Sequence, residues 1–169
     1  MARVARRERE AFALLVRRHQ RRLMNFFARM GDHNSADDLA QEAFVRLFRY
    51  RKRCRPTAKF TTFLYVLARR VWIDHLRAKA RRKQAYEDVA REVKLRQPAG
   101  TDALEDAKER AAIALAGLSE EMRTVVVMSV YQGFKYREIA EVLGIPLGTV
   151  KTRMYHALRK LKEALDREG

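Results

Sequence analysis

The chain of 169 residues has a single cysteine, Cys54, which rules out an internal disulfide, and its four histidines are scattered without zinc-ligand spacing. Cys54 sits in RKRCRP, where the neighbouring arginines favour a thiolate, although an inert loop cysteine is the simpler account. There is no apolar run near the length of a membrane span and no signal-type start, because ARVARREREAF is charged and already helical in pattern. A cytoplasmic protein without an integral membrane segment is expected. Carboxylates are scarce in the first half. The candidate metal group there, Asp37, Asp38 and Glu42, lies on one short helix, with nothing to complete a two-metal site and no nucleophile beside a base. This argues against a recombinase- or transposase-type enzyme, and no catalytic residue, metal or cofactor is expected.

Positive charge, by contrast, is abundant. The chain carries 37 Lys and Arg against 21 Asp and Glu, a formal charge of +16, with 47% hydrophobic residues, enough for one core or two small ones. Residues 1–85 hold 23 basic against 7 acidic side chains, residues 86–110 hold 5 against 7, and residues 111–169 hold 9 against 7. Essentially all of the excess lies in the N-terminal half, which should present a polyanion-binding surface of its own.

The clearest local pattern is Tyr136 to Lys162, YREIAEVLGIPLGTVKTRMYHALRKLK. Ile139, Ala140 and Leu143 mark the buried side of a short helix, Gly144 supplies the left-handed residue that ends it, and Pro146 opens the next helix. In that second helix Val150, Met154, Ala157, Leu158, Leu161 and Leu165 share one face, which leaves Gly148, Thr152, Tyr155, His156 and Arg159 on the other. This is a helix-turn-helix whose polar face suits the major groove.

The N-terminal half reads as three helices. Glu8 to Met30 carries Phe12, Leu15, Val16, Leu23, Phe26, Phe27 and Met30 at helical spacing and ends at Gly31. Asn34 and Ser35 begin a second helix running to about Tyr50, with Leu39, Ala43, Phe44, Leu47 and Phe48 as its buried stripe. Ser35 and Asp38 have capping-box spacing. Asp38, Gln41 and Glu42 on adjacent turns form either a patch for a basic protein partner or a helix-dipole preference for early acids. A basic loop, Tyr50 to Lys59, contains Pro56. A long helix follows from Phe60 to about Lys83. Phe60, Leu64, Leu67, Ala68 and Val71 form its core face, and Tyr65, Arg69, Trp72 and Leu76 form a second stripe. Tyr65 and Trp72 fit either packing under neighbouring helices or stacking on unpaired bases with Arg69 at the phosphates. Asp74 has ion-pair spacing with Arg70 and Arg77.

Residues 86–104 lose periodicity and contain the break QPAGT. Beyond them Ala103 to Leu115 is a helix ended by Gly117. Ser119 caps the next, in which Met122, Val125, Val126 and Val130 pack before Gly133. The expected fold is all-α: two small helical domains, 1–85 and 108–169, joined by a flexible linker at 86–107, with the helix-turn-helix in the second.

Three segments together, SADDLAQEAFVRLFRY, KFTTFLYVLARRVWIDHLRAKARR and LSEEMRTVVVMSVYQGFKYREIAEVLGIPLGTVKTRMYHALRKL, resemble a bacterial RNA polymerase sigma factor of the sigma-70 family, extracytoplasmic-function class. The resemblance spans nearly the whole chain. It implies that residues 1–85 correspond to region 2, which binds the β′ clamp helices of core RNA polymerase and opens the −10 element, with Asp38, Gln41 and Glu42 at the clamp. It makes Lys59, Phe60, Tyr65, Arg69, Arg70, Trp72 and Arg77 candidates for the −10 strand. It makes residues 108–169 region 4, which meets the β flap and reads the −35 element, through Thr149, Lys151, Thr152, Arg153, Tyr155, His156 and Arg159, with Lys135 and Arg137 beside the DNA backbone. It also implies promoter DNA and an anti-sigma factor as partners. Three positions depart from the family pattern. Arg70 replaces a frequent Asn, Ser129 replaces a frequent Arg backbone anchor, and Lys135 replaces a helix-capping Ser, losing a cap worth about 1 kcal/mol. A stand-alone helix-turn-helix regulator is the rival account; it leaves the basic half and the acidic patch unexplained.

Overall fold

The computed structural model describes residues 9–50, 59–87 and 103–167, and Cys54, loop residues 51–58 and linker residues 88–102 lie outside them. The described residues are all helical apart from short turns. In chain order they form α1 (Arg9–Met30), α2 (Ala36–Tyr50), α3 (Phe60–Glu87), α4 (Ala103–Ala116), α5 (Glu120–Val126), which continues into a π-helical turn (Val127–Tyr131), α6 (Tyr136–Leu143) and α7 (Leu147–Arg167).

Local chemistry fixes the ends. Gly31 at φ 112° turns the chain out of α1, and a side chain there would meet the Arg123 guanidinium at 2.8 Å. Ser119 accepts from the Met122 N–H at 3.4 Å at the start of α5. Gly144, at φ 66° and ψ 35°, ends α6 in the left-handed region. Lys135 cannot cap α6 with its own side chain, so Glu138 reaches back and accepts from the Lys135 N–H at 2.8 Å. The turn between α1 and α2 is not the Ser35–Asp38 box that the spacing suggested. Asp32 organises it, accepting from the Ser35 N–H at 3.0 Å and taking His75 Nε2 at 2.8 Å and Lys79 Nζ at 3.3 Å from α3. One carboxylate thus ties the α1–α2 corner to a third helix.

In the N-terminal half Leu23, Phe26, Phe27 and Met30 of α1 pack with Leu39, Ala43, Phe44 and Leu47 of α2 and Leu64, Leu67, Ala68 and Val71 of α3. Each fully buried large side chain contributes about 1.5–3 kcal/mol. In the C-terminal half Val125, Met128, Ile139, Val142, Val150, Met154 and Ala157 do the same.

The two halves also pack on each other, and their buried apolar residues form one continuous cluster. The second stripe of α3 is covered this way: Tyr65 lies against Phe26 of α1 and Phe134 of the C-terminal half, with ring centroids 5.3 and 4.7 Å away. Arg123 joins three helix ends, donating to Leu115 O, Ala116 O, Leu118 O and Met30 O.

Four apolar residues expected inside lie outside. Phe48 is at the surface, 38% exposed, with its ring edge-on to Phe12 of α1 at 5.1 Å. Val130 is exposed because the π-helical turn rotates it away from the core. Leu158 and Leu165 line an open groove between α4 and α7.

Burial raises the Asp32 pKa, but hydrogen bonds from His75, Ser35 and Lys79 outweigh it and hold the carboxyl at about 2. A depressed folded pKa gives stability that is present above the unfolded value near 4 and lost as pH falls through 2. Asp32→Asn is therefore expected to cost about 2 kcal/mol at neutral pH, read by urea denaturation. The gap between the variant and the natural protein should close between pH 4 and pH 2; a gap that persists unchanged to pH 2 would refute the assignment.

Candidate nucleic-acid interface

The helix-turn-helix delivers a side chain array whose orientation follows from the buried face of α7. With Val150, Met154 and Ala157 fixed inside, Lys151, Thr152, Tyr155 and Arg159 emerge on the outer side. Tyr155 is 67% exposed and lies edge-on to the half-buried His156 ring, centroids 5.5 Å apart. The Thr152 hydroxyl donates to Gly148 O at 3.0 Å, and Arg159 is 3.7 Å from Glu163, a pair loose enough to exchange for phosphate. Thr149 sits at the helix start, its N–H bonded to Pro146 O. Arg153 is half-buried on α7. Lys135 and Arg137 are exposed at the N-terminus of α6.

On the N-terminal half the candidates separate into three groups. Arg70 and Arg77 are exposed on α3. Lys59, Phe60 and Arg69 are engaged: Lys59 Nζ with Glu138 at 2.7 Å, the half-buried Phe60 ring with His19 at 5.0 Å, and Arg69 with Glu120, where Nη2 donates at 3.3 Å and Nη1 lies 3.1 Å from the other oxygen without a hydrogen bond. Tyr65 and Trp72 are each only 3% exposed. The Tyr65 hydroxyl donates to Gln132 Oε1 at 2.6 Å, and burial pushes its pKa up. Trp72 lies between Phe27 and His75, centroids 6.3 and 5.6 Å away. Of the two accounts open for these aromatics, packing describes both in this arrangement.

Where α2 and α3 meet, an open cavity of about 380 Å³ is lined by Tyr50, Arg46, Arg49, Leu67, Arg70 and Asp74. Sequence spacing missed it. Arg46 carries it, donating to Glu42 on its own helix and to Asp74 on α3, both at 2.8 Å, and both carboxylates keep its pKa raised despite burial. Asp74 thus has an ion-pair partner, as its spacing implied, but the close one is Arg46; Arg77 stands at 4.0 Å. A basic residue beside Glu42 was visible at helical spacing; its reach to a residue 28 positions away was not.

Asp38 and Gln41 are exposed on α2, Gln41 donating to Asp37 at 3.2 Å, while Glu42 is half-buried against Arg46. Glu42 also lines the Tyr50–Arg70 cavity, so the acidic patch and the cavity adjoin at the Glu42–Arg46 pair. Among the described residues no helix is long and apolar enough to cross a membrane.

Two family models match this arrangement, sigma-70 region 2 over residues 15–82 and sigma-70 region 4 over residues 109–161. The RNA polymerase sigma-H factor of Pseudomonas aeruginosa is 31% identical, covering 96% of this chain and 90% of its own. The ECF RNA polymerase sigma-E factor of Haemophilus influenzae is 28% identical, covering 96% and 92%. Two solved structures share the fold at 24% identity: the sigma factor RpoE of Bartonella quintana with the anti-sigma factor NepR, TM-score 0.75 over 93% of this chain and 98% of that one, and CnrH with the cytosolic domain of CnrY, TM-score 0.76 over 99% and 96%. With both regions present in order on one chain, the protein belongs to the sigma-70 family of non-enzymatic initiation factors, extracytoplasmic-function class, and directs core RNA polymerase to specific promoters.

Proposed function

We propose that this sigma factor holds its promoter at two points and captures an unpaired base at the second. The observation that carries this is the division of labour between halves: a nearly neutral helix-turn-helix with an open polar face, and a strongly basic bundle with an aromatic-edged cavity. Residues 1–85 act as region 2, 86–107 as the linker and 108–169 as region 4, in the cytoplasm, with no catalytic step and no metal or cofactor.

In region 4, Lys151 and Arg159 neutralise phosphates, Thr152, Tyr155 and His156 contact base edges of the −35 element, and Thr149 offers its helix N-terminus to the backbone. Lys135 and Arg137 stand in for the family's backbone anchor, replaced here by Ser129. Arg153 supports the helix more than it reads DNA. In region 2, Arg70 and Arg77 hold the backbone of the displaced strand, while Tyr50 at the mouth of the Arg46 cavity stacks on the flipped −10 base. Tyr50 is 38% exposed, whereas Trp72 is too enclosed to stack on a base. Asp38, Gln41 and Glu42 meet the β′ clamp helices. The β flap lies in the apolar groove of about 390 Å³ lined by Val130, Tyr131, Leu158, Leu161 and Leu165, which accounts for four large hydrophobic side chains left in water. An anti-sigma factor is a further partner, as in the two complexes of similar fold.

Transcription from genomic DNA with core polymerase tests the whole account, and failure to initiate at any promoter defeats it. At the −35 element, Lys151→Ala should weaken binding to all sequences and lower the salt slope by about 1, whereas Tyr155→Ala or His156→Ala should change base preference by about 1–3 kcal/mol at one position. Equal losses on every sequence from all three substitutions would contradict these roles. Lys135→Ala/Arg137→Ala should likewise reduce the salt slope; an unchanged slope removes them from the interface. At the −10 element, Tyr50→Ala should slow promoter opening, measured by permanganate footprinting, without altering the urea midpoint, and Trp72→Ala should cost about 3–5 kcal/mol of stability. A Tyr50→Ala protein that opens promoters normally would remove Tyr50 from base capture.

A further inference from the structure

Glycine is the least favourable residue in a helix after proline, because it loses the most backbone freedom and packs nothing. Gly148, the second residue of α7, is a glycine that the fold does not require. Gly31, Gly133 and Gly144 have positive φ, whereas Gly148 does not. A Cβ added to it would meet no atom within 4 Å, so no neighbour in the protein needs the space. Gly148 is also the one exposed residue in the first turn of α7, since Leu147 and Thr149 are half-buried and Val150 is buried. Whatever requires a bare backbone at this position lies outside the molecule.

Helical spacing from Gly148 leads to Thr152, Tyr155 and Arg159 on the same outer face, all exposed. Their size grows along the helix, from no side chain to a threonine and then to a tyrosine and an arginine. The Thr152 hydroxyl is folded back onto Gly148 O at 3.0 Å, which keeps the leading end of the face low, whereas Tyr155 projects. A helix with side chains is about 10–12 Å across, and the major groove is about 12 Å wide and 8.5 Å deep. With so little clearance, the height of the leading end decides how far the helix enters.

We propose that Gly148 is a positioning residue for −35 recognition: its missing side chain lets the first turn of α7 lie against the base-pair edges, and that depth brings Thr152, Tyr155 and His156 within reach of them. It rests on the assignment of α7 to the −35 element. A side chain at this position is compatible with the protein and obstructed by the DNA. The helix then rides higher in the groove. Short contacts to bases are lost first, while Lys151 and Arg159 follow the phosphates on long, flexible stems.

The test uses holoenzyme assembled from core polymerase and the full chain. Fluorescence anisotropy reads its binding to a labelled duplex carrying the promoter that the natural holoenzyme transcribes most strongly from genomic DNA, and to the same duplex with the −35 segment scrambled. Gly148→Ala and Gly148→Leu should leave the urea midpoint unchanged or higher. They should lower the preference for the promoter duplex by about fivefold and about fiftyfold, the range of one base contact, without changing binding to the scrambled duplex. Tyr155→Ala, which costs preference in the natural chain, should cost little more in the Gly148→Leu background, a non-additivity that mere loosening of the fold does not produce. A preference retained by Gly148→Leu overturns the proposal. So does a Gly148→Ala chain less stable than the natural one, an equal loss on both duplexes, or additive losses with Tyr155→Ala. Gly148→Ala, whose added methyl meets nothing in the fold, decides the matter if the leucine variant loses helicity by circular dichroism. A natural holoenzyme that binds both duplexes alike overturns the −35 reading itself and the role of Gly148 with it, whereas a natural preference that the variants keep overturns the role of Gly148 alone.

Discussion

A helix that is apolar on two sides has to be covered twice, and α3 imposes that requirement on the whole molecule. Its first face, Leu64, Leu67, Ala68 and Val71, closes the three-helix N-terminal bundle. Its second, with Tyr65 and Trp72, would leave large aromatic area in water if that bundle stood alone. Phe27 and His75 enclose Trp72, but the Tyr65 ring is finished by Phe134 and its hydroxyl by Gln132, both from the other end of the chain. The two halves are therefore complementary because α3 carries two faces that need cover.

Such a surface meets conflicting demands. Base stacking and phosphate contact favour exposed aromatics and unpaired cations, whereas stability favours burying the first and pairing the second. The chain distributes the demands along one helix. Arg70 and Arg77 stay exposed, Trp72 is committed to packing, and Tyr65, Arg69 and Lys59 are paired with Gln132, Glu120 and Glu138. The Arg46 bridge between Glu42 and Asp74 ties α2 to α3 where the acidic patch adjoins the cavity.

Helix boundaries were legible because their causes are local: Gly31 and Gly144 in the left-handed region, Ser119 as a cap, and apolar residues at helical spacing each act within a turn or two of chain. The polar face of α7 was legible for the same reason, and the charge count alone placed the basic excess in the first half. What spacing could not supply was pairing between distant residues. Tyr65 and Gln132 are 67 positions apart and Arg22 and Gln132 are 110 apart, and nothing in either neighbourhood announces the other. Periodicity also overcounted the core. Leu158 and Leu165 sit at the correct helical angle to be buried, yet α4 stops short of covering them. An apolar stripe identifies a face that wants cover without identifying who provides it.

The π-helical turn links these points. Regular α-helical spacing from Val126 would bring Val130 to the buried side and keep Gln132 near the surface. Widening the turn over Val127–Tyr131 shifts the register: Val127 and Met128 stay buried, Val130 rotates to 62% exposure, and Gln132 arrives buried between Arg22 and Tyr65. Exposing a valine and burying an amide are each unfavourable alone, and π turns persist mainly where a site requires the altered register. Here one irregularity answers both costs. The amide receives hydrogen-bond partners on the N-terminal half, and the displaced valine joins Tyr131, Leu158, Leu161 and Leu165 in the open groove. The contact that closes the chain on itself and the surface left for a partner thus arise from the same five residues.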